Sequence, residues 1–182
     1  ATGKLKGRKF GLFEEFNIGG TTVRELKASG VTIVIPKTVG FPFTTYKAPK
    51  NPGLCRPDRL FCSRDGSTLI PVAVAEHKAP KKLRVGRDQR YAEEQVVFSG
   101  VASNARVGIV SDGKTFRYID INGSLAAGNI AYFDESRDFV PAVLENILEG
   151  TSGVVLDPKP LAESVWQIIW QATKEEPKTC LL

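Results

Sequence analysis

The sequence predicts one layered domain of the α/β or α+β class, on three observations. Strand patterns fill the middle of the chain, with helix patterns before, between and after them. Two Asp-Gly pairs, Asp65-Gly66 and Asp112-Gly113, each separate two strand-like runs and mark hairpins. The 182 residues, 42% hydrophobic and 25% charged, suit one domain with a proper core.

The elements follow in order. Thr21–Ala28 reads as a helix, with Thr21 or Thr22 as its N-cap and Gly30 as its stop. Val31–Ile35 (VTIVI) reads as a strand. The Pro- and Gly-rich stretch from Pro36 to Cys55 is a loop long enough to close over a site. Two strands, Asp58–Arg64 and Thr68–His77, turn at Asp65-Gly66. Residues 83–103 read as a helix with Tyr91, Ala92, Val96, Phe98 and Ala102 as its apolar positions. A second hairpin spans 106–121, and a helix from about Pro141 to Leu148 stops at Gly150. A last helix presents Val165, Ile168, Ile169 and Ala172 on one face, and its Trp166 and Trp170 read as packing residues.

Composition bounds the function. No apolar stretch approaches the roughly 18 residues that span a bilayer, so no membrane partner is expected. The first residues lack the apolar core of a signal peptide. The chain starts without Met and reads as a piece of a longer protein, with room for further domains. Three cysteines, no CxxC and a single histidine argue against a disulfide framework or a zinc site. Free thiols suit an intracellular, reducing compartment, cytoplasm or nucleus. The terminal KTCLL places Cys180 third from the end, one position off a prenylation box. Residues 1–118 carry 21 Lys/Arg against 10 Asp/Glu, and residues 119–182 carry 4 against 10. That segregation, +11 against −6, points to a polyanionic partner for the basic part, nucleic acid first.

The strand Thr68–His77 ends on Glu76-His77-Lys78 after an apolar run. Alternation along a strand puts Glu76 and Lys78 on one face and His77 on the other. If the hairpin turns near Asp65-Gly66, Asp58 at the start of one strand lies beside Glu76 and Lys78 at the end of the other. Two close carboxylates repel and raise each other's pKa. A hard divalent cation removes that conflict, because Mg²⁺ is held by one or two carboxylates, water and phosphates. The plain alternative is a rim ion pair of Glu76 and Lys78, worth under ~1 kcal/mol.

Pro57-Asp58, a hairpin, then Glu76-His77-Lys78 resembles the PD-(D/E)xK nuclease superfamily. Residues 93–121, with a helical Gln followed by a strand and the Ser111-Asp112-Gly113-Lys114 turn, look like the nuclease domain of type I restriction-enzyme motor subunits. The likeness covers about residues 55–121. It implies a restriction-endonuclease-like core, a mixed sheet flanked by helices, at about 21–121 with C-terminal helices at about 135–175. It also implies a Mg²⁺-dependent nuclease, with Mn²⁺ as a substitute, acting on DNA rather than RNA. Asp58 and Glu76 would ligate the metal with the backbone carbonyl of His77, Lys78 would orient the attacking water, and Gln95 would assist from the helix. The usual aromatic beyond that Gln is Phe98 here, one position early, so Gln89 with Tyr91 is a competing alignment. The family's N-terminal helix often adds a Glu; Glu25 is the first choice, with Glu14 and Glu15 behind it. Lys81, Lys82, Arg84, Arg87 and Arg90 follow directly and would track a phosphate backbone. A catalytically inactive module on the same fold, binding nucleic acid or protein, stands as the alternative, and a homodimer is compatible with either.

Overall fold

The computed structural model describes residues 5–80, 82–83, 86–136 and 139–150. It is a mixed α/β domain built on a seven-stranded sheet, and the strands lie side by side in chain order. They are β1 (Gly7–Phe10), β2 (Phe13–Asn17), β3 (Arg59–Asp65), β4 (Thr68–His77), β5 (Val107–Ser111), β6 (Phe116–Asp120) and β7 (Ala131–Ser136). Every neighbouring pair is antiparallel except β4 and β5. Parallel strands need a crossover, and here it is helix α2 (Arg87–Ser103), which packs on both. Gly108 of β5 permits that approach, because a Cβ there would sit 2.9 Å from Val96 of α2.

Alternation sorts the strand side chains onto two cores. Phe16, Leu60, Val74, Val110 and Ile119 face α2 and helix α1 (Val23–Ala28). Phe13, Phe61, Ala73, Ala75, Ile109 and Tyr118 face helix α4 (Pro141–Glu149), through its Leu144 and Ile147. Helix α3 (Ile121–Ala127) continues β6 and packs on α2. Among the described residues no helix is long and apolar enough to cross a membrane.

Both Asp-Gly hairpins form. Gly66 and Gly113 have φ of +57° and +83°, the left-handed conformation for which glycine suits these turns. Helix α1 begins at Thr22 with a capping box and stops before Gly30, at φ +98°. The helix expected over 83–103 starts later, at Arg87. Its Tyr91 is exposed rather than part of the apolar face.

The expected strand Val31–Ile35 is not one. It makes a single parallel bridge, Val31 to Leu69, and Thr32 donates to the Leu69 carbonyl. Its next backbone groups are taken by a side chain: Val34 donates to Asn104 Oδ1 at 2.6 Å, and Asn104 Nδ2 donates to the Val34 carbonyl at 3.0 Å. Val31 and Ile33 still bury themselves, so the apolar pattern marks core and not a ladder.

Strands β1, β2 and β7 and helix α3 were not expected. In β2 the alternation is broken by Glu15, buried on the same face as Phe13. It survives there because Arg8 of β1 and Arg59 of β3 both hydrogen-bond to it. Helix α3 hides behind Asn122-Gly123, which sits in its first turn, where Asp120 caps it by accepting from the Gly123 N–H. The expected last helix with Val165, Trp166, Ile168, Ile169, Trp170 and Ala172 lies outside the described residues, as do Cys180, Lys81 and Arg84.

Candidate active site

At the carboxyl end of β4, Glu76 turns toward α2 and is 1% exposed. Ser99 of α2 donates to its Oε1 at 3.3 Å, and Lys78 Nζ stands 3.5 Å from its Oε2. Lys78 Nζ also donates to Gln95 Oε1 at 2.8 Å. The spacing explains this: Gln95 and Ser99 are four apart and share one stripe of α2, facing the two same-side residues of the strand end. Of the two glutamines weighed from sequence, Gln95 reaches Lys78, whereas Gln89 donates to Glu93 at 2.9 Å.

Asp58 precedes β3 and locks the strand ends together. Its N–H donates to the Ala75 carbonyl, and its Oδ2 accepts the His77 N–H at 2.8 Å. It lies close enough to Glu76 for its charge to help raise that carboxyl. The Glu76 carboxyl is pushed from its ordinary 4.5 to about 7. Burial raises it most, Lys78 opposes, Asp58 adds to the rise, and Ser99 opposes weakly.

His77 is half-buried, with Nε2 buried and without a hydrogen-bond partner among the described residues. Burial and then the nearby Arg59 lower its pKa, and strand alternation turns it to the face opposite Glu76. Glu25 does not join the cluster, since its carboxylate accepts from the Thr22 N–H and hydroxyl in the capping box. Glu14 pairs with Arg64 and Glu15 with Arg8 and Arg59. Lys82 pairs with Asp88 at 2.9 Å in full exposure. Arg87 is exposed, and Arg90 lies 3.8 Å from Glu94.

Several neighbours escaped the sequence reading. Cys55 Sγ lies 3.1 Å from the Ser99 hydroxyl, so a buried thiol closes the back of the site. Burial raises that thiol to about 11. The long loop carries Phe41 and Tyr46 onto Phe98 and Tyr91 of α2, with Phe43 edge-on to Phe41. Tyr46 donates its N–H to the buried Glu94 at 2.7 Å. Its hydroxyl is raised by burial, then by Cys55, Tyr91 and Glu76. The aromatic count in that loop was the available signal. Lys78 and Tyr91 line an open cavity of about 330 Å³ with His77 and Lys82.

The donor set can be tested against a hard cation. Among the described residues no three His, Cys, Asp or Glu side chains converge on one point. Mg²⁺ does not require three, because one or two carboxylates, carbonyls, water and substrate phosphates complete its shell. Asp58 and Glu76 supply two carboxylates in mutual repulsion, which is what a dication relieves. No protein-family model matches this chain, and no curated protein or solved structure is similar enough to count as a match.

Proposed function

We propose that this protein is a metal-dependent nuclease that hydrolyses phosphodiester bonds of DNA, on a restriction-endonuclease-like PD-(D/E)xK core. The observation that carries this reading is Lys78 Nζ held between Gln95 Oε1 and Glu76 at the open end of β4, with Asp58 pinned alongside. Asp58, Glu76 and the His77 carbonyl are the groups that would hold Mg²⁺ or Mn²⁺. A bound dication supplies a bound water of lowered pKa and polarises the phosphate. The protein's own share is positional. Gln95 fixes Lys78, so its remaining N–H donors have a defined direction toward an attacking water and the developing charge. Glu76 faces Lys78 and Ser99, which set the carboxylate's orientation. Lys82, Arg87 and Arg90, with Lys81 and Arg84, would carry the strand's phosphates past the site.

One observation favours a second reading, a silent module on the same fold. Glu76 is almost fully buried and both its oxygens already have partners. One experiment decides. Purified protein is incubated with plasmid, linear duplex, single-stranded DNA and RNA, with Mg²⁺, Mn²⁺ or EDTA, beside Asp58→Ala and Lys78→Ala. The nuclease reading expects metal-dependent cutting of DNA. It expects Asp58→Ala to lose both cutting and Mn²⁺ affinity. Lys78→Ala should keep Mn²⁺ affinity and lower the single-turnover rate by on the order of 10²–10³, the scale for one lost transition-state contact. No cutting under any metal leaves the silent module. A Lys78→Ala protein that cuts at the wild-type rate removes Lys78 from the mechanism.

A further inference from the structure

A second cavity, about 610 Å³, opens on the flank of α2 away from Lys78, among Arg87, Gln89, Arg90, Glu93, Asn129 and Tyr132. A residue step along a helix turns about 100°, so Gln89 and Glu93 point almost opposite to Tyr91 and Gln95. Both sites nonetheless use the same helix, and the cavity beside Lys78 reaches Asp88 and Tyr91 in its first turns. A nucleic-acid strand crossing the end of α2 would meet one and then the other.

One acceptor at the floor of this cavity lacks a donor among the described residues. Glu93 is 3% exposed, and three donors converge on its Oε1: Gln89 Nε2 at 2.9 Å, Arg117 Nη1 at 3.3 Å and the Tyr132 hydroxyl at 2.8 Å. None of the three reaches Oε2. The bond from Gln89 to a carboxylate fixes which end of its amide is nitrogen. That leaves Gln89 Oε1 buried with no hydrogen-bond partner among the described residues. A buried acceptor of this kind is costly unless something donates to it. The rim, by contrast, carries Arg87 and Arg90, both exposed cations.

We propose that this cavity is a guanine-reading pocket for a nucleotide flanking the cut. Guanine presents two adjacent donors, N1–H and the exocyclic amine, to the acceptors of Gln89 and Glu93, while Arg87 and Arg90 take the phosphate. Thymine offers one N–H between two carbonyls, which would face Glu93 unfavourably. The volume falls within the size range of small-ligand sites. The inference rests on the nuclease reading for its biological meaning and not for its test.

The test is direct binding of the four 5′-deoxynucleoside monophosphates to the full chain in EDTA, by calorimetry or amide chemical shifts. The expected result is dGMP at least tenfold tighter than dTMP. Gln89→Met, close in volume and without polar atoms, should weaken dGMP at least fivefold and leave dTMP unchanged. Arg87→Ala, at an exposed position that threatens no core, should weaken all four alike. Equal affinities, undetectable dGMP binding, or a Gln89→Met protein with wild-type preference would overturn the pocket. Cutting without base preference sinks the pocket alone. A base preference without cutting sinks the nuclease alone.

Discussion

Among the described carboxyls with a resolved shift, Glu76 alone is raised, and its titration is measurable. Its carboxyl is raised to about 7 from 4.5, chiefly by burial. A raised carboxyl means that, between those values, the folded state keeps a proton that the unfolded state has lost. Stability from this group is therefore present below about 4.5, falls through the window and is gone above about 7. At ~1.4 kcal/mol per pH unit, the loss over this window is at most about 3.5 kcal/mol. Glu76→Gln should flatten that fall, so in EDTA the variant gains on wild type between pH 5 and pH 8. Urea denaturation at both pH values checks this, and an unchanged difference would mean that Glu76 is not held in a desolvated site. At this scale the sequence was informative about strand-end groups. Asp58, Glu76 and Lys78 follow from alternation and one hairpin, whereas Gln95 was expected only through the family resemblance, with Gln89 as a competing alignment. Ser99, Cys55 and Tyr46 did not follow, because their contacts depend on where a long loop and a helix settle on the sheet.

At the scale of elements, the hairpins and α1, α2 and α4 were legible because turn and cap residues act locally. Elements set by distant partners were not. β2 needs Arg8 and Arg59 to accept Glu15, and the Val31–Ile35 stretch has its backbone held by a residue 70 positions away. That residue, Asn104, caps α2 at φ +61°, the one described non-glycine residue with positive φ. Asparagine tolerates this conformation better than other side chains and here also bonds Val34 twice. Two variants separate the contributions. Asn104→Gly keeps the backbone at ease and loses two partly wet hydrogen bonds, about 1–2 kcal/mol. Asn104→Ala loses the same bonds and adds about 1 kcal/mol of left-handed strain. Equal losses for both in urea titrations would show that the cap conformation carries no cost.

Across the whole molecule the charge is divided, +11 over residues 1–118 and −6 over 119–182. Lys78 lies in the basic part, Lys82 shares its cavity, and Arg87 and Arg90 line the second cavity at the start of α2. They are not equivalent. Lys82 already pairs with Asp88, a contact that a phosphate must displace, while Arg87 has no ion pair among the described residues. Arg90 lies 3.8 Å from Glu94 and shares only a long contact, 3.4 Å, with Asn129. On duplex DNA each neutralised phosphate contributes about −0.9 to the slope of log affinity against log salt. Arg87→Glu with Arg90→Glu should therefore weaken DNA binding and flatten that slope by up to about 1.8, and Lys82→Glu alone should flatten it by less than about 0.9. Binding is measured in EDTA, so that cutting does not intervene. An unchanged slope in the double variant would move the DNA to another basic surface. Lys6, Arg8 and Lys9 along the exposed edge strand β1 would then be the candidate, because that edge is also basic and open to solvent.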